Sequence, residues 1–252
     1  MNLIKTKHHL LWLALFTTIA LAVPNFEASD PKLYLTKVTD PDALCLDGSP
    51  AAYYISKDGD PNKIYLEFEG GGWCWGINSI SATLDSCLQR SKTDLGSSSA
   101  YPETITVYNG ILSISEENNF RNWTRVFLKY CTGTGHQGTK KNPVPYKGTN
   151  LYFRGHNVTV SMLNLLEKNN KLFSEATEVV VGGGSAGGLA VFLWTNYIKD
   201  RVKNGKVWAL PDSGIFLDAT NVNTGKNDFR SILRNVAALV NVEIAPPVAG
   251  CA

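Results

Sequence analysis

The chain has 252 residues, 44% of them apolar, 18% charged and 10% aromatic, with 22 glycines and 11 prolines. That profile excludes disordered, collagenous and coiled-coil proteins and fits one large α/β domain or two small ones, with a sizeable core. The net charge of +2 comes from Lys5 and Lys7, and without them 22 residues of each sign remain, so nothing in the charge points to nucleic acid or an anionic membrane as partner.

The first element is an address. Met1 to His9 carries Lys5, Lys7, His8 and His9, and Leu10 to Val23 follows without a charge. Ala20-Leu21-Ala22 then places small residues at −3 and −1 of a cleavage point. Residues 1–22 are read as a secretory signal peptide rather than a membrane anchor, because a span needs about 20 apolar residues. The mature domain is expected over 23–252, secreted or in the lumen of the secretory pathway. No later stretch is long and apolar enough to cross a bilayer.

Ala51 to Ser56 and Lys63 to Phe68 predict neighbouring strands joined by the turn Asp58-Gly-Asp-Pro61. Arg125 to Tyr130, Glu178 to Gly182 and Lys206 to Leu210 predict three more strands. Asn157 to Lys168, Leu189 to Lys203 and Phe229 to Val240 predict helices, and Val191, Trp194, Ile198 and Val202 recur at helical spacing as a buried stripe. Strands alternating with helices imply a mostly parallel sheet covered on both faces, with function at the carboxyl ends of its strands.

Export makes the five cysteines disulfide candidates before metal ligands or nucleophiles. Cys74 and Cys87 bracket a short loop and form the first candidate pair; Cys45 and Cys131 could form the second, leaving Cys251 odd. No Cys/His spacing suits zinc, and no metal or organic cofactor is expected. Asn122-Trp-Thr124 and Asn157-Val-Thr159 are candidate glycosylation sites.

Two glycine motifs carry the chemistry. Val179 to Gly188 spells a buried strand, a tight turn and a helix start, and Gly183-x-Ser185-x-Gly187 fits a nucleophile elbow. Ser185 then stands clear of the sheet, Gly183 and Gly187 relieve a close approach, and the Ala186 amide at the helix start can donate to an oxyanion. Two other readings remain: a bland glycine loop, and a dinucleotide turn, since Gly182-x-Gly184-x-x-Gly187 also fits with Asp200 downstream. The elbow is favoured, because Asp200 falls in a helical stretch rather than at a strand end. The second motif, Glu69-Gly70-Gly71-Gly72-Trp73-Cys74, follows a strand directly, and the amides of Gly71 and Gly72 are candidates for the remaining oxyanion donors.

Taken with Cys45-Leu-Asp-Gly-Ser-Pro50, Leu66 to Cys74, Gly110 to Ser113, Tyr130 to Gly133, Leu151 to Gly155 and Asp212 to Asp218, these motifs resemble the pectin acetylesterase/Notum family, in order from about residue 33 to 235. The resemblance implies an α/β-hydrolase fold and a secreted carboxylic-ester hydrolase with a Ser-Asp-His triad, Ser185 being the nucleophile and Gly71, Gly72 and Ala186 the oxyanion hole. Its substrate is expected to be an acylated glycan or an acylated protein. A short acyl group, such as acetyl on extracellular polysaccharide, is favoured over a protein-bound fatty acyl group by the spelling of the motifs.

Two departures stand out. The loop carrying Thr132 and His136 differs from the family pattern, and no histidine follows Ser185. The expectation is a chain whose C-terminal part is missing, with the triad acid and histidine beyond residue 252, and hence a nearly inactive chain or a non-catalytic binding module. His136 is the first substitute base to weigh, ahead of His156, with Asp212 and Asp218 as substitute acids, and none of them occupies a triad position of the family.

Overall fold

A computed structural model describes residues 30–77 and 79–241. The proposed signal segment 1–22 and Cys251 lie outside the described residues. The core is a seven-stranded sheet built from β1 (Lys32–Lys37), β2 (Ala52–Ile55), β3 (Asp60–Phe68), β4 (Thr104–Thr106), β5 (Trp123–Leu128), β8 (Glu178–Gly184) and β9 (Lys206–Asp212). A separate hairpin pairs β6 (Val144–Tyr146) with β7 (Thr149–Leu151), and its turn residues Lys147 and Gly148 both have positive φ, as a tight hairpin turn requires. The helices are α1 (Ile80–Arg90), α2 (Gly155–Asn170), α3 (Ala186–Lys199) and α4 (Asp228–Val240).

The sheet order is β4-β1-β2-β5-β3-β8-β9. β5, β3, β8 and β9 are mutually parallel, whereas β2, β1 and β4 are added antiparallel at one side. One expectation fails here: β2 and β3 are consecutive in sequence yet not neighbours, because β5 lies between them, antiparallel to β2 and parallel to β3. The bend at 57–59 therefore carries the chain across a strand position instead of closing a hairpin. Of the predicted strands, all five exist, and β3, β8 and β9 run longer than predicted.

Alternation on the strands sorts the two faces. Ile64, Leu66 and Phe68 of β3, Val126 and Leu128 of β5, and Val179 and Val181 of β8 point to one face, where α2 and α3 cover them. Val158, Met162 and Leu166 on α2, and Val191, Trp194 and Ile198 on α3, recur at helical spacing and are fully buried there, as the pattern of the third helix foretold. Tyr65, Val180 and Phe127 face the other way and are covered by Leu112 and Phe120 from the long segment between β4 and β5, together with Trp123 at the start of β5.

Two disulfides form among the described residues, Cys45–Cys131 and Cys74–Cys87, separated by 86 and 13 residues. Cys74–Cys87 lies where α1 and α4 pack together, in a second apolar cluster with Leu46, Leu84, Phe153, Val236 and Leu239. Asn122 is half-buried just before β5, and Asn157 sits in the first turn of α2 with its Oδ1 buried.

Candidate active site

β8 ends in Gly182-Gly-Gly184, the chain reverses at Ser185, and α3 begins at Ala186. Ser185 has φ 54° and ψ −118°, a combination that costs a side-chain-bearing residue energy and is tolerated where the surroundings fix it. Those surroundings are visible. A Cβ on Gly187 would lie 2.0 Å from the Phe68 carbonyl oxygen, and one on Gly183 would lie 2.5 Å from the Gly187 carbonyl oxygen. Only glycine lets β3, β8 and α3 approach this closely. The Ser185 N–H donates to the Asp212 carbonyl at the end of β9 (2.9 Å), which ties the turn to the neighbouring strand. Ser185 itself is exposed, and Ala186 is fully buried at the first position of α3, where a helix leaves its amides without internal partners.

The glycine loop that follows β3 runs beside this turn. A Cβ on Gly70 would fall 2.3 Å from the Gly184 carbonyl oxygen and 3.5 Å from the Ser185 Cβ. Gly71 and Gly72 take φ values of 122° and 66°. The structure thus brings the two sequence motifs together, and it adds Gly70, which the sequence reading passed over, as the residue that touches the elbow. Its only signal in the sequence was membership in the same glycine run.

Behind the loop lies a charged and aromatic layer. The Glu69 carboxylate pairs with Lys129 and accepts from the Tyr130 N–H at 2.6 Å. Burial pushes this carboxyl up from its usual range, against the pull of Lys129. Arg90, at the end of α1, donates from Nη1 to the Gly71 carbonyl (2.9 Å) and from Nε to the Leu95 carbonyl (2.9 Å), with its guanidinium 4.9 Å from the Tyr130 ring centroid. His136 stacks on the same ring and meets Phe68 edge-on. Its Nε2 lies 2.9 Å from the Glu69 carbonyl oxygen. The ring is 1% exposed, and burial pulls its pKa down to about 4, so it is neutral at physiological pH.

Next to Ala186, an apolar wall is made by Trp73, Phe216, Phe229 and Ile232. Trp73 and Phe216 meet edge-on at 5.0 Å.

Among the described residues, no side chain hydrogen-bonds the Ser185 hydroxyl. His136 is directed to a backbone carbonyl instead. His156 opens α2 and packs against Trp194, with its own N–H bonded to Gly138. The Asp212 side chain accepts from the Ser213 hydroxyl, and Asp218 pairs with Arg230. Asp200 caps the far end of α3, about 20 Å from the turn at 1.5 Å per residue, so the ribose contact of a dinucleotide site is not made. Among the described residues, no group of three His, Cys, Asp or Glu side chains could hold a metal ion, and no helix is long and apolar enough to cross a membrane.

A mixed sheet whose parallel centre ends in a strand–serine–helix turn defines an α/β-hydrolase. Comparison with known proteins narrows the class. The chain belongs to the pectinacetylesterase family, whose profile matches residues 26–251. It is 32% identical over 236 residues to pectin acetylesterase 5 of Arabidopsis thaliana, a match covering 88% of this chain and 52% of that protein. It is 30% identical over 199 residues to the palmitoleoyl-protein carboxylesterase notum1a of Danio rerio, covering 75% of this chain and 37% of the relative. The solved structure of the Wnt deacylase Notum from Drosophila superimposes with a TM-score of 0.72 at 26% identity, over 87% of this chain and 64% of that one. The chain spans about half the length of the plant relatives it matches.

Proposed function

We propose that this protein is a secreted serine carboxylesterase that removes O-acyl groups, acetyl foremost, from extracellular polysaccharide. The observation that carries the reading is Ser185, an exposed hydroxyl held at φ 54° on a turn that only glycines at 183 and 187 permit. In the reaction, a base takes the Ser185 proton and Oγ attacks the ester carbonyl. The N–H groups of Gly71, Gly72 and Ala186 stabilise the oxyanion, the alcohol leaves, and water cleaves the acyl-enzyme. Water delivers one proton in total and the acid departs, so no redox partner or cofactor is required.

His136 is not that base in this arrangement, because its Nε2 is committed to the Glu69 carbonyl. A serine hydrolase working without its base loses on the order of 10⁴- to 10⁶-fold in kcat. Among the described residues no histidine is placed to act as that base, which makes binding of acylated ligands without turnover the second reading. It is favoured by the unpaired Ser185 hydroxyl among the described residues.

The acyl group divides a third reading from the first. The aromatic wall of Trp73, Phe216 and Phe229 suits a long acyl chain, the kind of group removed by a protein O-fatty-acyl deacylase. A series of p-nitrophenyl esters from acetate to palmitate separates the two: acetate is expected to give the highest kcat/KM, and a rise with chain length reverses the preference. A fluorophosphonate probe tests the nucleophile. Labelling is expected on Ser185 and lost in Ser185→Ala, and labelling that survives the substitution overturns the assignment.

A further inference from the structure

The glycine loop is gripped from behind at two carbonyls. His136 Nε2 holds the carbonyl of Glu69 and Arg90 Nη1 holds that of Gly71, both at 2.9 Å. A carbonyl oxygen only accepts, so the neutral imidazole carries its proton on Nε2 and donates. In a planar trans peptide, the carbonyl of one residue and the N–H of the next point in opposite directions. Holding the Glu69 carbonyl therefore fixes the Gly70 peptide at the entry to the loop, immediately before the first candidate donor, and holding the Gly71 carbonyl fixes the N–H of the donor Gly72 on the side away from Arg90. Gly71 and Gly72 have positive φ and carry no side chain, so the Arg90 bond is what opposes a flip of the peptide between them.

We infer that Arg90 and His136 are positioning residues that set the direction of the loop amides beside Ser185, so that the oxyanion site is organised before substrate arrives. The inference rests on the hydrolase reading of Ser185. The two side chains are themselves fixed by one shared partner. The Tyr130 ring touches both, stacked at 4.5 Å on His136 and 4.9 Å from the Arg90 guanidinium. The Tyr130 hydroxyl in turn accepts the Gly135 N–H at 2.6 Å, which braces the loop that bears His136. His136 takes φ 60°, an unfavourable value for a residue with a side chain, and keeps it where the ring can reach the Glu69 carbonyl. The chemistry demanded at 136 is a neutral donor of fixed length, and at 90 a planar fork that serves Leu95 and Gly71 together.

The test uses phenylboronic acid on the full chain. Its boron bonds to a serine Oγ, a proton passes to solvent, and the tetrahedral anion places one oxygen at the oxyanion site. Titration compares wild type, Ser185→Ala, His136→Leu, His136→Gln, Arg90→Met and Arg90→Lys, with thermal melts to check folding. Binding is expected to weaken ~10- to 100-fold in His136→Leu and Arg90→Met, as for loss or misplacement of an oxyanion donor. His136→Gln, whose amide can still donate, is expected to stay within about threefold of wild type, whereas Arg90→Lys is not rescued. Equal binding by wild type and both disrupting variants overturns the inference and leaves the hydrolase reading standing. Wild-type binding no tighter than Ser185→Ala overturns the hydrolase reading instead. Crystal structures of His136→Leu and Arg90→Met then decide the positioning role alone: the Glu69 or Gly71 carbonyl turned from its wild-type direction supports it, and both unmoved refute it.

Discussion

β8 and β9 are adjacent parallel strands of equal length, and they live in different surroundings. β8 lies between β3 and β9, with Val179 and Val181 sealed under α2 and α3 and Val180 covered on the other face. Among the described residues β9 has one neighbour, and it leaves Trp208 and Leu210 each 43% exposed, followed by Ile215, Leu217 and Val222 at 75% or more. The strand that presents Ser185 is thus supported from every side, while the strand that anchors its amide is supported from one. Precision at the elbow comes from packing behind it rather than from symmetry around it.

The sharpest way to break this contrast is to fill the space at the elbow. Gly187→Val is expected to cost on the order of 5 kcal/mol, because the new Cβ meets the backbone oxygen of Phe68, and neither strand nor helix can yield. Urea unfolding measures it, and a cost below about 1 kcal/mol would mean that the close approach is not rigid. Next come the disulfides. Replacing Cys45 and Cys131 by serine opens an 86-residue loop and is expected to cost about 4 to 5 kcal/mol, against about 3 for the 13-residue loop of Cys74 and Cys87. Equal losses in the two double variants would contradict that ranking.

A smaller effect should appear with pH. His136 is buried and neutral, its pKa depressed from 6.5 to about 4, so the unfolded chain takes up its proton first as pH falls. This group is therefore without cost above pH 6.5 and destabilises progressively between 6.5 and 4, by about 3 kcal/mol at the lower end. Its neighbour Glu69, with a raised carboxyl pKa, works in the opposite sense, so the measurement is the difference between wild type and His136→Gln across that window. Parallel stability curves would show that His136 titrates normally. The smallest effect belongs to β9. Trp208→Ser is expected to change stability by less than about 0.5 kcal/mol, since the ring already meets solvent, and a loss above 2 kcal/mol would show that this strand is covered in solution.

What could be read in the sequence follows the same division. The elbow was legible because its constraint is local: a serine on a sharp turn demands glycines two residues to either side, and these are adjacent letters. The buried stripe of α3 was legible because helical period alone reports it. The strand order was not, because β5 enters between β2 and β3 from sixty residues downstream, and nothing in the Asp58-Gly-Asp-Pro61 segment encodes that insertion. α1 escaped for a different reason: its buried apolar residues are only Leu84 and Cys87, and its start depends on the side-chain cap supplied by Ser79. Arg90 and His136 were opaque as loop-holding residues, since each acts on a carbonyl distant in sequence. His136 drew attention as a possible base, and its partner proved to be the peptide of Glu69.

The bridge between Cys74 and Cys87 has an implication for when this molecule becomes competent. It fastens the exit of the glycine loop to the helix that presents Arg90 three residues later. Folding in a thiol-rich environment would leave the exit of the loop unfastened from that helix. The placement of the loop beside Ser185 is thereby tied to oxidation, which reducing surroundings would withhold.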